Sequence, residues 1–169
     1  SRTVSSCFAA LRQIRSIRRS VTEPVLKTLV ASLVLSKLDY GISTLSGLPA
    51  CQLDRLQSVL NAAARLVYSA RRFDHVTPLL RELHWLRVPE RITFRLSVLV
   101  YCCLHGQAMS YLAVSSIDGR RRLRLASTAE QDVPATRRMT IGDRAFPIAA
   151  ARAWNDLPAS VTSSTSLLI

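Results

Sequence analysis

The chain has 169 residues, 49% of them hydrophobic and 20% charged, which suits a packed globular chain and excludes wholesale disorder. Twenty-three basic residues against eleven acidic ones leave a formal charge of +12, and every basic residue except Lys27 and Lys37 is an arginine. Because a guanidinium fork matches phosphate oxygens bidentately, this excess points to a polyanionic partner, most commonly nucleic acid.

Aromatic residues make up only 6% of the chain, so its core is built of Leu, Val, Ile and Ala, a palette that favours packed helices over a sheet. Residues 5–19 carry Phe8, Leu11, Ile14 and Ile17 at helical spacing, with Arg12, Arg15 and Arg19 at i, i+3 and i+7 on another side. Thr22 is the expected N-cap of a second helix, with Glu23 and Pro24 in its first turn. That helix runs through Val25, Leu29, Val30, Leu33, Val34 and Leu38, and Gly47 and Pro49 are its expected stop. A third helix carries Leu53, Leu56, Val59, Leu60, Ala63, Ala64 and Val67 on its apolar stripe, opposite Gln52, Arg55 and Arg65.

After Arg71-Arg72-Phe73-Asp74 a short helix is predicted, with Thr77 as N-cap, Pro78 at its first position and an end near His84-Trp85. Another long helix starts near Pro89 and carries Ile92, Leu96, Leu99, Val100 and Cys103, with Gly106 as its C′ stop. From residue 115 to 140 no helical period is sustained. This stretch holds Arg120, Arg121, Arg122 and Arg124, then Arg137 and Arg138, and reads as a basic loop or short hairpin. Asp143 is the expected cap of a last helix over 144–155, with Pro147 tolerated in its first turn. Trp85 and Trp154 are expected to anchor the core.

Several chemistries lack their residues. Metal-dependent polymerases and nucleases need clustered carboxylates, and the chain has no Asp-Asp pair; Asp39 in Leu38-Asp39-Tyr40 reads as a helix-surface or capping residue. His75 and His84 stand without a nucleophile, and no glycine-rich phosphate loop is present, so no catalytic residue is assigned. Cys7, Cys51, Cys102 and Cys103 have neither disulfide nor zinc spacing, even with His105 nearby, and read as buried free thiols in a reducing, intracellular setting. Arg12, Arg15, Arg18 and Arg19 stand where a signal peptide would be apolar, and the run from Leu29 to Leu35 is too short to span a membrane. The chain starts without Met and stops at Ser166-Leu167-Leu168-Ile169, as a fragment would.

The motifs are more specific than the composition. Ser36-Lys37-Leu38-Asp39-Tyr40 with Gly47-Leu48-Pro49 is followed by Leu53-Asp54-Arg55-Leu56-Gln57 and Asn61-Ala62-Ala63-Ala64-Arg65-Leu66-Val67. Then come Phe73-Asp74-His75-Val76-Thr77-Pro78-Leu79-Leu80, Leu83-His84-Trp85-Leu86, Tyr101-Cys102-Cys103-Leu104-His105-Gly106, Gly142-Asp143-Arg144-Ala145-Phe146 and Ala153-Trp154-Asn155-Asp156-Leu157-Pro158. In this order they resemble the thumb and post-thumb region of LINE-type non-LTR retrotransposon reverse transcriptases (jockey-like mobile element proteins). The resemblance implies a helical segment that follows the catalytic palm and grips the primer–template duplex through its backbone. It also implies contact with the palm and fingers of a parent polymerase.

The sequence therefore predicts an all-α bundle of five or six helices: a thumb-like bundle over 1–115, a basic irregular connection over 116–141, and a C-terminal helix and tail over 142–169 in the same domain. The expected function is a non-catalytic piece of an RNA-directed DNA polymerase that binds RNA–DNA hybrid or RNA in cytoplasm and nucleus, with no cofactor, metal, membrane or small-molecule substrate. Candidate phosphate contacts are Arg12, Arg15, Arg18, Arg19, Arg71, Arg72, Arg120, Arg121, Arg122, Arg124, Arg137 and Arg138. The alternatives are a packing segment that completes the polymerase fold, or a decayed relic without independent activity.

Overall fold

A computed structural model describes residues 2–107, 131, 133–135, 142 and 144–162. Secondary structure among them is helical, with no strand. The elements are α1 (Arg2–Ile17), α2 (Glu23–Val30), a π-helical turn (Ala31–Leu35), α3 (Ser36–Asp39), α4 (Ala50–Tyr68), α5 (Val76–Glu82), α6 (Val88–Leu104), α7 (Phe146–Asn155) and α8 (Ala159–Thr162). Taking the continuous run 23–39 as one helix, six helices among the described residues exceed a single turn, which agrees with the all-α expectation. None of the described helices is long and apolar enough to cross a membrane.

The chain divides into two compact units, Ser1–Ile42 with Leu48–Arg91 and Ser43–Gly47 with Ile92–Ile169. The division falls at Arg91, inside the stretch 1–115 that the sequence reading takes as one bundle. The expected basic connection over 116–141 lies outside the described residues, apart from Gln131 and residues 133–135.

In the first unit α1 packs on α4 and on the run 23–39. It buries Cys7, Ala10, Leu11 and Ile14, so of the expected stripe Leu11 and Ile14 are enclosed, Phe8 is half-buried and Ile17 is exposed, the buried face being turned toward Cys7 and Ala10. From α4, Val59, Leu60, Ala63, Ala64 and Val67 are buried, and the two alanines are fully enclosed, which lets neighbouring backbones approach closely. Each large apolar side chain enclosed in this way stabilises the fold by about 1.5–3 kcal/mol relative to exposure.

The π turn follows from the apolar spacing. Within the run 23–39, Leu26, Val30, Val34 and Leu38 are all buried and recur every four residues. On an α-helix of 3.6 residues per turn, such a stripe drifts by about 40° at each step. A wider π turn in the middle absorbs the drift and keeps both ends facing the core. On the exposed side, the hydroxyls of Thr28, Ser32 and Ser36 donate to the carbonyls of Pro24, Thr28 and Ser32.

Several boundaries differ from those expected. The run 23–39 ends before Gly41, whose φ of +68° leaves the helical region, so the helix stops at Asp39, well before Gly47. Thr22 occupies the N-cap of α2 but makes no side-chain cap bond. His75, not Thr77, precedes the first residue of α5. Ala145 is the N-cap of α7, while Asp143 lies outside the described residues. Of the cysteines only Cys7 is buried: Cys51 is exposed and Cys102 and Cys103 are intermediate, because their helices turn those positions away from the core.

Two amides at the start of α6 are satisfied by side chains, one of its own first turn and one of α4. The Arg87 N–H donates to Glu90 Oε2 at 2.9 Å, half of a capping box, and the Val88 N–H donates to Gln57 Oε1 of α4 at 2.9 Å. In the second unit Val100 and Tyr101 of α6 are buried in one cluster with Ala150 and Trp154 of α7, and Phe146 and Leu157 pack against it. Trp154, 3% exposed, is the core anchor that was expected, whereas Trp85 is half-buried. The neighbouring Asn155 accepts the Gln131 N–H at 2.8 Å and donates back to the Gln131 carbonyl at 2.9 Å.

Candidate nucleic-acid interface

The candidate site in the first unit is built around the C-terminal end of α4, where carbonyls have no intrahelical donor and the helix dipole favours cations. Three elements bring basic side chains there. From the turn after α1, Arg18 Nη2 donates to the Val67 carbonyl at 3.3 Å. From α2, Lys27 Nζ lies 5.5 Å from the centroid of the Tyr68 ring and 2.8 Å from Glu23 Oε1. From α4 itself, Arg65 Nη2 donates to the Asp74 carbonyl at 3.3 Å. The Nε atoms of Arg18 and Arg65 are buried without a hydrogen-bond partner among the described residues.

Beyond Tyr68 the chain closes into a tight turn. Ser69 takes the left-handed region, with φ of +55°, and the Ala70 N–H donates to the Arg65 carbonyl at 3.0 Å. Asp74 ties the other end: its carboxylate accepts the Arg71 N–H at 2.5 Å, and its own N–H donates to the Arg71 carbonyl at 3.2 Å. With the backbone held from both sides, the side chains of Arg71, Arg72 and Phe73 stand in solvent, and Phe73 is 91% exposed.

The Glu23 hydrogen bond holds the Lys27 ammonium above its ordinary pKa. Burial pushes the Tyr68 phenol above its ordinary value; the nearby Glu82 carboxylate adds to this and Lys27 opposes it. Lys27 therefore stays charged over the Tyr68 ring throughout the neutral range. Burial likewise raises the Cys7 and Cys103 thiols, so both are held in the unreactive protonated form.

The sequence-predicted arginines part into groups. Arg18 turns inward to cap α4, while Arg19, Arg71 and Arg72 stand exposed at the same end of the unit, without an ion-pair partner among the described residues. Arg12 and Arg15 are exposed farther back along α1. Arg120, Arg121, Arg122, Arg124, Arg137 and Arg138 lie outside the described residues. Two further residues at this end did not figure among the expected phosphate contacts. Helical spacing puts Arg65 opposite the apolar stripe of its helix, yet its Nε is buried. Phe73 stood only within a motif, although an aromatic inside a polar turn, with no helical period to bury it, was a usable signal.

His75 and His84 are exposed, and no group of three or more His, Cys, Asp or Glu residues among the described residues could hold a metal ion. A cleft of about 330 Å³ lies between α4 and the 76–89 segment. Apart from Asp54, its polar lining is already engaged: Gln57 holds the Val88 N–H and the Asn61 side chain, and Arg87 Nη2 donates to Thr77 Oγ1. In comparison with known proteins, no family model, no curated sequence and no solved structure matches this chain.

Proposed function

We propose that this chain is a non-catalytic segment of a polymerase like the LINE-type reverse transcriptases, and that it holds RNA–DNA hybrid through phosphate contacts without reading sequence. The observation that supports this reading is the gathering of basic side chains from the turn after α1, from α2, from α4 and from the turn after α4 at one end of the first unit, with Arg19, Arg71 and Arg72 exposed there. Arginines left exposed without an ion-pair partner at a helix end can turn to phosphate oxygens without first giving up an internal contact.

A second reading, a packing segment for the rest of a polymerase, is favoured by the arginines already engaged inside the fold. Arg18 and Arg65 serve backbone carbonyls, Arg87 bonds Thr77, and Arg91 pairs with Asp39. Titrating the full chain against a labelled RNA–DNA hybrid over a salt series separates the two. The expected result is a linear fall of log affinity with log salt. Replacing Arg71 and Arg72 together by alanine lowers that slope by about 0.9 for each phosphate that the variant no longer neutralises. A folded chain that binds no hybrid at low salt would exclude the phosphate-gripping reading and leave the packing one.

A further inference from the structure

We propose that Phe73 is a base-stacking platform: its ring takes an unpaired base where the duplex ends, while Arg71 and Arg72 hold the adjoining phosphates. The proposal rests on the reading of this chain as a nucleic-acid-gripping segment and assigns that segment a particular feature of its ligand, the junction between paired and single-stranded chain.

Three observations carry it. Phe73 is 91% exposed, so its ring contributes almost nothing to the core. The turn that presents it is not a loose loop. Its backbone is tied at Ala70 to Arg65, at Arg71 to Asp74 in both directions, and at the Asp74 carbonyl to the Arg65 guanidinium. With the backbone fixed in this way, binding has only the two side-chain torsions of the ring left to order. Its immediate neighbours in the chain are two exposed arginines and Asp74, whose carboxylate is engaged by a backbone N–H.

An apolar ring face bracketed by guanidinium groups complements an aromatic face bracketed by phosphates, which is the chemistry of a single-stranded nucleotide. A paired base inside a duplex offers no free face, so the ring's partner is a base at an end or in a single-stranded extension. The charge of +12 on the whole chain favours that polyanion over an apolar peptide.

The test compares two RNA–DNA hybrids that carry the same single-stranded extension, one with its bases and one with abasic sugars, so that both present the same phosphates. The wild-type chain is expected to bind the base-bearing extension about tenfold more tightly than the abasic one. Phe73→Ala is expected to bind both alike, with an unchanged salt slope and an unchanged thermal melt, and Phe73→Trp to restore the preference. Arg71→Ala with Arg72→Ala should weaken both hybrids and flatten the salt dependence of each. A wild-type chain that binds both hybrids equally, or a Phe73→Ala variant that keeps the wild-type preference, would overturn the stacking role while leaving the phosphate grip standing. Failure to bind either hybrid at low salt would overturn the grip and this proposal with it.

Discussion

Asp39 shows how a residue's role can depend on a partner distant in sequence. In the sequence it sits at the end of a helical run, beside an exposed Tyr40, and reads as a surface or capping acid. In the fold its Oδ1 lies 2.5 Å from Arg91 Nη1, and Arg91 also donates from Nε to the Leu86 carbonyl at 3.1 Å. The arginine side chain is only 15% exposed, so the pair is screened less than a free surface pair. A double-mutant cycle with Asp39→Asn and Arg91→Ala, read by urea denaturation, is expected to give a coupling of about 1 kcal/mol. The Arg91 single variant should be destabilised more than the Asp39 one, because it also gives up the Leu86 carbonyl. Additive single effects would show the pair to be incidental.

Helix ends, at the scale of elements, repeat one solution. α4, α5 and α6 each close with a left-handed residue, Ser69, His84 and Gly106, followed by a bond from the next N–H to a carbonyl five residues back. These bonds are Ala70 to Arg65, Trp85 to Leu80 and Gln107 to Cys102. The arrangement is a Schellman cap, and glycine suits its left-handed position best because it has no Cβ to clash. Gly106 was legible in the sequence for that reason. Ser69 and His84 were not, since neither residue type announces a positive φ. Ser69→Gly is therefore expected to stabilise the first unit by roughly 0.5–1 kcal/mol, the strain relieved less the added freedom of the unfolded chain. A denaturation midpoint that falls on this substitution would mean that the serine side chain matters more than its backbone strain. The π turn belongs to the same scale: the sequence reading places Val30, Val34 and Leu38 on this helix together with Val25 and Leu33, whereas in the fold Val25 and Leu33 are exposed, Leu26 joins the buried stripe, and a π turn corrects its drift.

At the scale of the molecule, the titratable groups that shift among the described residues all shift upward, and this sets a direction for pH dependence. Tyr68, Cys7 and Cys103 hold their protons more tightly in the fold than their ordinary values of 10.0, 9.0 and 9.0 imply, and Lys27 exceeds its own value of 10.5. A group with a raised folded pKa contributes its full stability below its unfolded value and loses it as pH rises through the folded one. Stability should therefore hold from neutral pH to about pH 9 and decline above it, measured as the urea midpoint across that range. Tyr68→Phe should make the decline shallower, since the variant has no phenol to ionise. An unchanged pH profile in that variant would remove Tyr68 from the account.

The sequence by itself determined the helical class, because a Leu, Val, Ile and Ala core with one-sided spacing has few other ways to bury itself. It also determined the basic character, the Gly106 stop and the inward Trp154, each of which follows from local chemistry or from size. The tertiary structure alone decided which arginines are engaged and which stay exposed, since Arg18, Arg65, Arg87 and Arg91 find their acceptors 49, 9, 10 and 52 residues away. It also decided the division at Arg91 and the outward placement of Phe73. A guanidinium has the same charge and reach wherever it stands in the chain. Whether it caps a helix or meets a phosphate depends on the carbonyl or carboxylate that folding brings within hydrogen-bond distance, and on whether the group stays in water.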